Sequence, residues 1–322
     1  MQATISLCSG LRTELRGFKL IRESFKLVSR AAVHRRQTAA WLELLNSHPL
    51  FAQMLPSCPR LVNKIYRDYL STRLGVDARL DALRTHYQTV FQLGLAPLVA
   101  RAALGPVEMC RLQSKDGDYR VVLRAGGVLC REGELIFQLM QDDRLIYSVA
   151  CAFVRDGFQM LLGVGCLQGT PGAHAQDGVR EATRALHGMR PKNLLMRVVR
   201  QFGHDHGCTK LLLVGNANRV VTTSMRKGKV HADYDTLWTE LGAVKRADGD
   251  FQLACETLPA LDLTEIVSKK RSEAKKRHEM LMVAIDDINA QIGRSQLALT
   301  PLRLAPPPSG IAAEELRLRL TA

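Results

Sequence analysis

Apolar positions near the N-terminus recur at helical spacing. Leu11, Leu15, Phe18, Ile21, Phe25, Val28 and Ala32 step by 3 or 4 residues and form one stripe. Arg12, Arg16, Lys19 and Arg22, with Lys26 and Arg30 close by, follow one residue later. One residue is about 100° of helix rotation, so the basic stripe flanks the apolar one. Such a helix suits an anionic membrane surface. Equally, it suits a helix that packs on the rest of the protein with its basic face in water. Further helices are predicted over 39–46, 60–74 and 80–93, with Asp77 or Asp81 as a cap for the last.

The pattern changes near Lys115. Short runs rich in Val, Ile, Leu and aromatics occupy 119–124, 128–130, 134–141, 145–154 and 159–168. Asp-Gly, Ala-Gly-Gly, Arg-Glu-Gly and Asp-Asp-Arg separate them, which predicts an antiparallel meander. Two helices follow, over 179–187 and 192–206, then a buried-type strand at 210–214. A turn and strand surround Asp248–Leu253, and a long basic helix spans 263–292. The predicted fold class is α+β, a helical N-terminal part followed by a mixed, mainly antiparallel sheet. The expected units are a basic amphipathic arm (1–37), a helical subdomain (38–112), an α/β core (113–262), a basic helix (263–293) and a flexible tail (294–322) that contains Pro306–Gly310.

Composition adds limits. Hydrophobic residues make up 46% of the 322 and charged residues 24%, an ordinary globular balance. No run approaches the ~18 uninterrupted apolar residues of a spanning helix. The first ten residues lack the basic-then-apolar order of a secretory signal, so the expected location is cytoplasmic, with peripheral contact to the inner membrane through the arm. The eight Cys stand singly, without C-x-x-C spacing, which predicts reduced thiols and no zinc finger.

Charge changes the picture more. The net +14 is uneven: +6 falls on 1–60, +1 on 61–183 and +9 on 184–231. That concentration points to an anion pocket near Arg190-Pro191-Lys192. Proline fits the first helical position, and two cations there reinforce a helix start already disposed to anions. Lys269–Arg277 is a second basic run, and either nucleic acid or anionic lipid is a conceivable partner. It lacks aromatics, and no DNA-binding module is visible, so nucleic acid ranks last. His204-x-His206 near Cys208 has ligand-like spacing, but Gly207 marks a helix end, where histidines suit the dipole; no metal is expected.

The order of antiparallel strands, helix and parallel-type strand resembles the acyl-CoA-dependent N-acetyltransferase (GNAT) core. That resemblance implies acyl-CoA as cofactor, with Gln168, Gly169, Arg190, Lys192 and Asn216 as binding residues. The chain departs from its pattern, since a long insert replaces the short glycine loop and Pro191 stands where a glycine is usual. Tyr234 and Glu240, polar residues beyond the pocket strand, are the acid–base candidates. Turn chemistry alone also accounts for Gly215-Asn216.

Several stretches together resemble the bacterial VirK/YbjX family, a domain of unknown function that also includes LapB. They are Trp41–Leu45 with His48-Pro49-Leu50, Pro59-Arg60-Leu61 with Lys64–Leu70, and Arg79-Leu80 with His86-Tyr87. Gly165–Gly169, Glu181-Ala182-Thr183 with Leu186–Lys192, Asp233-Tyr234-Asp235 with Trp238, Asp248–Phe251 and Ser268–Arg271 continue the series. The likeness covers roughly 38–285. It implies links to virulence, envelope integrity and resistance to cationic antimicrobial peptides, with an envelope protein or membrane surface as partner.

Overall fold

A computed structural model describes residues 4–11, 17–127, 129–172, 175–221 and 232–297. The expected tail beyond 297, and Arg12, Leu15 and Arg16 of the arm, lie outside the described residues. The N-terminal part is helical: α1 (Gly17–Val33), α2 (Arg35–Asn46), α3 (Pro49–Met54), α4 (Val76–Gln92) and α5 (Ala96–Leu104). Then come β1 (Val107–Leu112), β2 (Tyr119–Ala125), β3 (Leu135–Gln141), β4 (Arg144–Asp156) and β5 (Gln159–Gly169). Helices α6 (Ala175–Ala185) and α7 (Pro191–Asp205) lead to β6 (Lys210–Leu213), α8 (Tyr234–Glu240), β7 (Val244–Lys245), β8 (Phe251–Ala254) and α9 (Ser268–Leu297).

The sheet order is β1-β2-β3-β4-β5-β6-β8-β7. All pairs are antiparallel except β5 and β6, which run parallel from Leu161/Lys210 to Val164/Leu213. A parallel neighbour needs a crossover, which α6 and α7 supply. The helical N-terminal part and the mixed, mainly antiparallel sheet are those expected from the sequence. The β3–β4 and β4–β5 hairpins turn at Asp142 (φ 50°) and Gly157 (φ 60°), left-handed positions that Asp and Gly tolerate best.

Helix α7 shows why the core holds. Leu194, Leu195, Val198, Val199 and Phe202 recur at helical spacing and are buried. Phe202 meets Phe137 of β3 edge-on at 5.3 Å and Phe153 of β4 at 5.9 Å. His206 closes the helix end, its Nδ1 lying 2.7 Å from the Phe202 carbonyl oxygen, the capping place expected for it.

Two expectations are corrected. A single helix over 60–74 is replaced by two short 3-10 turns, Pro59–Leu61 and Lys64–Tyr66, followed by an irregular stretch of bends and turns. There the backbone serves other loops. Leu70 N–H donates to the Arg131 carbonyl at 2.7 Å, and Thr72 N–H to that of Asn218 at 2.8 Å. Leu70 itself is left-handed at φ 57°. Residues 129–130, expected in a strand, form a turn. Among the described residues no helix is long and apolar enough to cross a membrane.

The expected stripe of α1 is helical but faces outward. Phe18 is 79% exposed, Ile21 67%, Phe25 74% and Val28 60%. A narrower row packs instead: Leu27 and Ala31 are buried and Leu20 is half-buried. The packed-stripe alternative is therefore overturned for these four side chains.

Candidate functional site

Arg190 precedes α7, and Pro191 takes its first position, where no N–H is needed. Arg190, Asn193, Arg197 and Arg200 step by 3, 4 and 3 residues and so share one face. That face borders a groove of about 350 Å³, closed on other sides by Gly188, Glu240, Leu253 and Arg277. Arg200 is the half-buried anchor. Its Nε donates to the Ala254 carbonyl at 3.0 Å, and its Nη2 lies 2.5 Å from Glu256. Arg197 reaches the same carboxylate at 3.3 Å. Burial depresses the Arg200 pKa, a sign of incomplete hydration of its charge. Arg277 reaches the His187 carbonyl at 3.5 Å. The Arg190 side chain is exposed and makes no hydrogen bond or ion pair with the described residues. Asn193 contributes a buried amide oxygen without a partner. Four guanidinium groups stand against two carboxylates, Glu256 and the Lys192-paired Glu240, and leave the groove cationic.

Of the seven residues singled out from the sequence, three meet here. Arg190 and Glu240 line the groove, and Lys192 donates to Glu240 at 2.8 Å. The hydrogen bond from Lys192, and then its charge, hold Glu240 below the usual carboxylate range. The other four lie elsewhere. Gln168 and Gly169 end β5 opposite Ser148 and Tyr147. Asn216 ties down the start of α8, donating to Asp233 at 2.6 Å and accepting from Tyr234 N–H at 2.8 Å. Tyr234 is fully buried; its hydroxyl accepts from Leu167 N–H at 2.8 Å and lies 3.5 Å from Cys166 Sγ. Burial pushes that phenol well above its ordinary value. Arg219 stacks over its ring at 3.6 Å. Val214 N–H, directly after β6, makes the last bond from this strand to β5, at the Val164 carbonyl, and further along β5 the Tyr234 hydroxyl takes the Leu167 N–H instead.

Sequence reasoning missed Asn193, Arg197 and Arg200, although their helical spacing from Arg190 was a usable signal. It also missed a buried polar cluster between the helical part and the sheet. There Lys64 pairs with Glu134, and Tyr87 donates to the second Glu134 oxygen at 2.6 Å. Tyr69 lies beside Lys64, its ring centroid 5.5 Å from the ammonium. His86 accepts from Phe153 N–H at 3.2 Å through Nδ1, while its Nε2 is buried without a partner. Burial lowers the His86 pKa to about 4. Among the described residues no group of three His, Cys, Asp or Glu is placed to hold a metal.

Residues 16–293 match a family model described as a protein of unknown function (DUF535). The uncharacterized protein YbjX of Escherichia coli K12 is 27% identical over 269 residues, 81% of this chain and 81% of that protein. An uncharacterized protein of Haemophilus influenzae is 24% identical over 274 residues, 83% of this chain and 90% of its own. Among solved structures, a cAMP-binding acyltransferase from Mycobacterium smegmatis aligns with 14% identity and a TM-score of 0.27, covering 67% of this chain and 62% of that one. At that level the fold rests on strand order and connectivity.

Proposed function

The chain belongs to the DUF535 family, and from that premise we propose that it binds a phosphorylated ligand, acyl-CoA first among candidates, in the arginine groove beside α7. The observation that carries this reading is the convergence of Arg190, Arg197, Arg200 and Arg277 on one cavity at the start of a helix. Guanidinium groups bind phosphate oxygens in pairs, and the positive end of the helix dipole favours an anion. Of the two acid–base candidates, Glu240 stands at the groove and Tyr234 does not. A link to envelope integrity, virulence or resistance to cationic peptides is the cellular role the family resemblance suggests. Calorimetric titration with CoA, acetyl-CoA and 3′,5′-ADP tests the reading. Arg190→Ala and Arg277→Ala are each expected to weaken binding by about tenfold, the loss of one charge-assisted contact. No heat and no thermal shift with any of the three, in folded protein, would remove it.

The outward face of α1 supports a second reading, a peripheral factor at an anionic membrane surface. Phe18, Ile21, Phe25 and Val28 are exposed apolar side chains in one row, and Lys19, Arg22, Lys26 and Arg30 accompany them. Burying each apolar side chain is worth roughly 1.5–3 kcal/mol, and the cations favour acidic headgroups. Co-sedimentation with phosphatidylglycerol vesicles but not with phosphatidylcholine vesicles is expected. Equal binding to both would reject the electrostatic part of this reading.

A further inference from the structure

Beside the outward face of α1 lies a cleft of about 410 Å³. Lys19, Arg22 and Glu23 of α1 form one wall, Gly10 and Leu11 a second, and Arg60 and Asn63 a third. These walls come from three separate stretches of chain, and hydrogen bonds fix the N-terminal one. Ile5 N–H donates to Asn46 Oδ1 at 2.8 Å, and Asn46 Nδ2 donates back to the Ile5 carbonyl at 2.9 Å. Asn63 Nδ2 donates to the Gly10 carbonyl at 3.2 Å. A Cβ on Gly10 would come within 2.8 Å of Val62 Cβ, so glycine lets the two stretches seat against each other.

The charge of the cleft is one-sided. Lys19, Arg22 and Arg60 are exposed, and none of the three makes a hydrogen bond or ion pair with a described residue. The one carboxylate, Glu23, is engaged at 3.1 Å by Lys26, which does not line the cleft. Three cations therefore share the cleft with a carboxylate that a fourth cation already occupies. The cleft also adjoins the outward apolar row. At about 100° per residue, Val28, Ile21, Phe25 and Phe18 cover about 80° of the helix surface, and Arg22 and Lys19 follow about 40° and 100° beyond Phe18. Buried Leu27 lies on the opposite side, about 180° from Phe18. A lipid layer that meets the apolar row thus brings its headgroups to the mouth of the cleft. An anionic phospholipid offers an acyl layer to the row and a phosphate to the cations, whereas a free phosphate ion offers only the second.

We propose that this cleft holds the phosphate of an anionic phospholipid headgroup among Lys19, Arg22 and Arg60, while the apolar row enters the acyl layer. The inference rests on the membrane-surface reading of α1 and gives it a headgroup site that reaches beyond that helix, since Arg60 belongs to the turn Pro59–Leu61. Dihexanoyl phosphatidylglycerol, titrated as monomer into the full chain at about 0.15 M salt, should bind saturably. Dihexanoyl phosphatidylcholine and inorganic phosphate should each bind at least about fivefold more weakly. Arg60→Ala and Arg22→Ala, at exposed side chains without bonds, should each keep the parent's melting temperature and weaken the short-chain phosphatidylglycerol at least about fivefold, the worth of one cation at an anionic headgroup. Arg30→Ala, on the same flank of α1 but outside the cleft, should change it less than about twofold, since charges beyond about 8 Å are screened. Arg60→Ala should likewise need more phosphatidylglycerol vesicles for half-maximal co-sedimentation. Vesicles that sediment Arg60→Ala and the parent alike would overturn the headgroup site and leave the membrane-surface reading standing, and vesicles that sediment neither would remove both. Inorganic phosphate that binds as tightly as the short-chain lipid would make the cleft a free-anion site and overturn the proposal.

Discussion

At the scale of residues, the Lys64–Glu134–Tyr87 cluster sets the local energetics. Both ions are removed from water, with side chains 8% and 1% exposed. Removing one partner leaves the other charge buried and unmatched, which costs about 3–5 kcal/mol. Glu134→Ala should therefore lower stability in urea by that order, and the double variant Lys64→Met/Glu134→Ala should recover most of the loss. A double variant as unstable as the single one would contradict the account. His86 adds a pH dependence. Its folded pKa is about 4 against an ordinary 6.5. The unfolded chain then takes up a proton that the folded chain refuses, so stability falls as pH drops from 6.5 toward 4. The shift corresponds to about 3 kcal/mol across that window. His86→Asn keeps an acceptor for Phe153 N–H and removes the titration, so its urea midpoint should change less between pH 7 and pH 4.5. None of this was legible in the sequence. Glu134 stands 70 residues from Lys64 and 47 from Tyr87, and a lone Lys or Glu carries no local sign of its partner.

At the scale of elements, legibility followed the range of the interactions. Strands β2 to β5 were readable because left-handed turn residues and alternating β-branched runs are local signals. Helices α6 and α7 were readable from period and from Pro191. The stretch 60–74 was not, because its backbone hydrogen bonds go to Arg131 and Asn218, far along the chain. Helix α1 was read correctly as an element, while the two readings of its apolar stripe, packed or outward-facing, could not be decided, since periodicity cannot say which of two adjacent apolar rows finds a partner. The groove was half legible: Arg190 and Lys192 stood out as a motif, whereas Arg277 arrives from α9, 87 positions beyond Arg190. The face of α1 can be tested by its energetics. Replacing Phe18, Ile21, Phe25 and Val28 together with Ser removes exposed surface only, so the urea midpoint should stay near that of the parent. Leu27→Ala, by contrast, removes a buried side chain and should cost about 2–5 kcal/mol. Equal losses in the two variants would mean that the outward row is packed in solution.

At the scale of the whole molecule, one core joins what the sequence divides. Trp41, Phe51 and Tyr87 of the helical part belong to the same buried cluster as Phe137, Phe153 and Phe202 of the sheet and its crossover helix. His86 stacks on Phe153 at 5.8 Å, so α4 meets β4 directly. The chain carries two tryptophans, one in each part, and both are almost fully buried. Trp41 donates to the Val62 carbonyl at 3.1 Å, and Trp238 to that of Val214 at 2.9 Å. Each indole therefore reports the integrity of its own neighbourhood. If the shared core enforces cooperativity, neither part can unfold without exposing the other's apolar face. The single-tryptophan variants Trp41→Phe and Trp238→Phe should then show urea transitions by fluorescence that coincide with their own far-ultraviolet dichroism. A fluorescence midpoint that departs from the dichroism midpoint in either variant would mean that the helical part and the sheet unfold as separate units, and that the buried Lys64–Glu134 pair lies at a seam and not within one core.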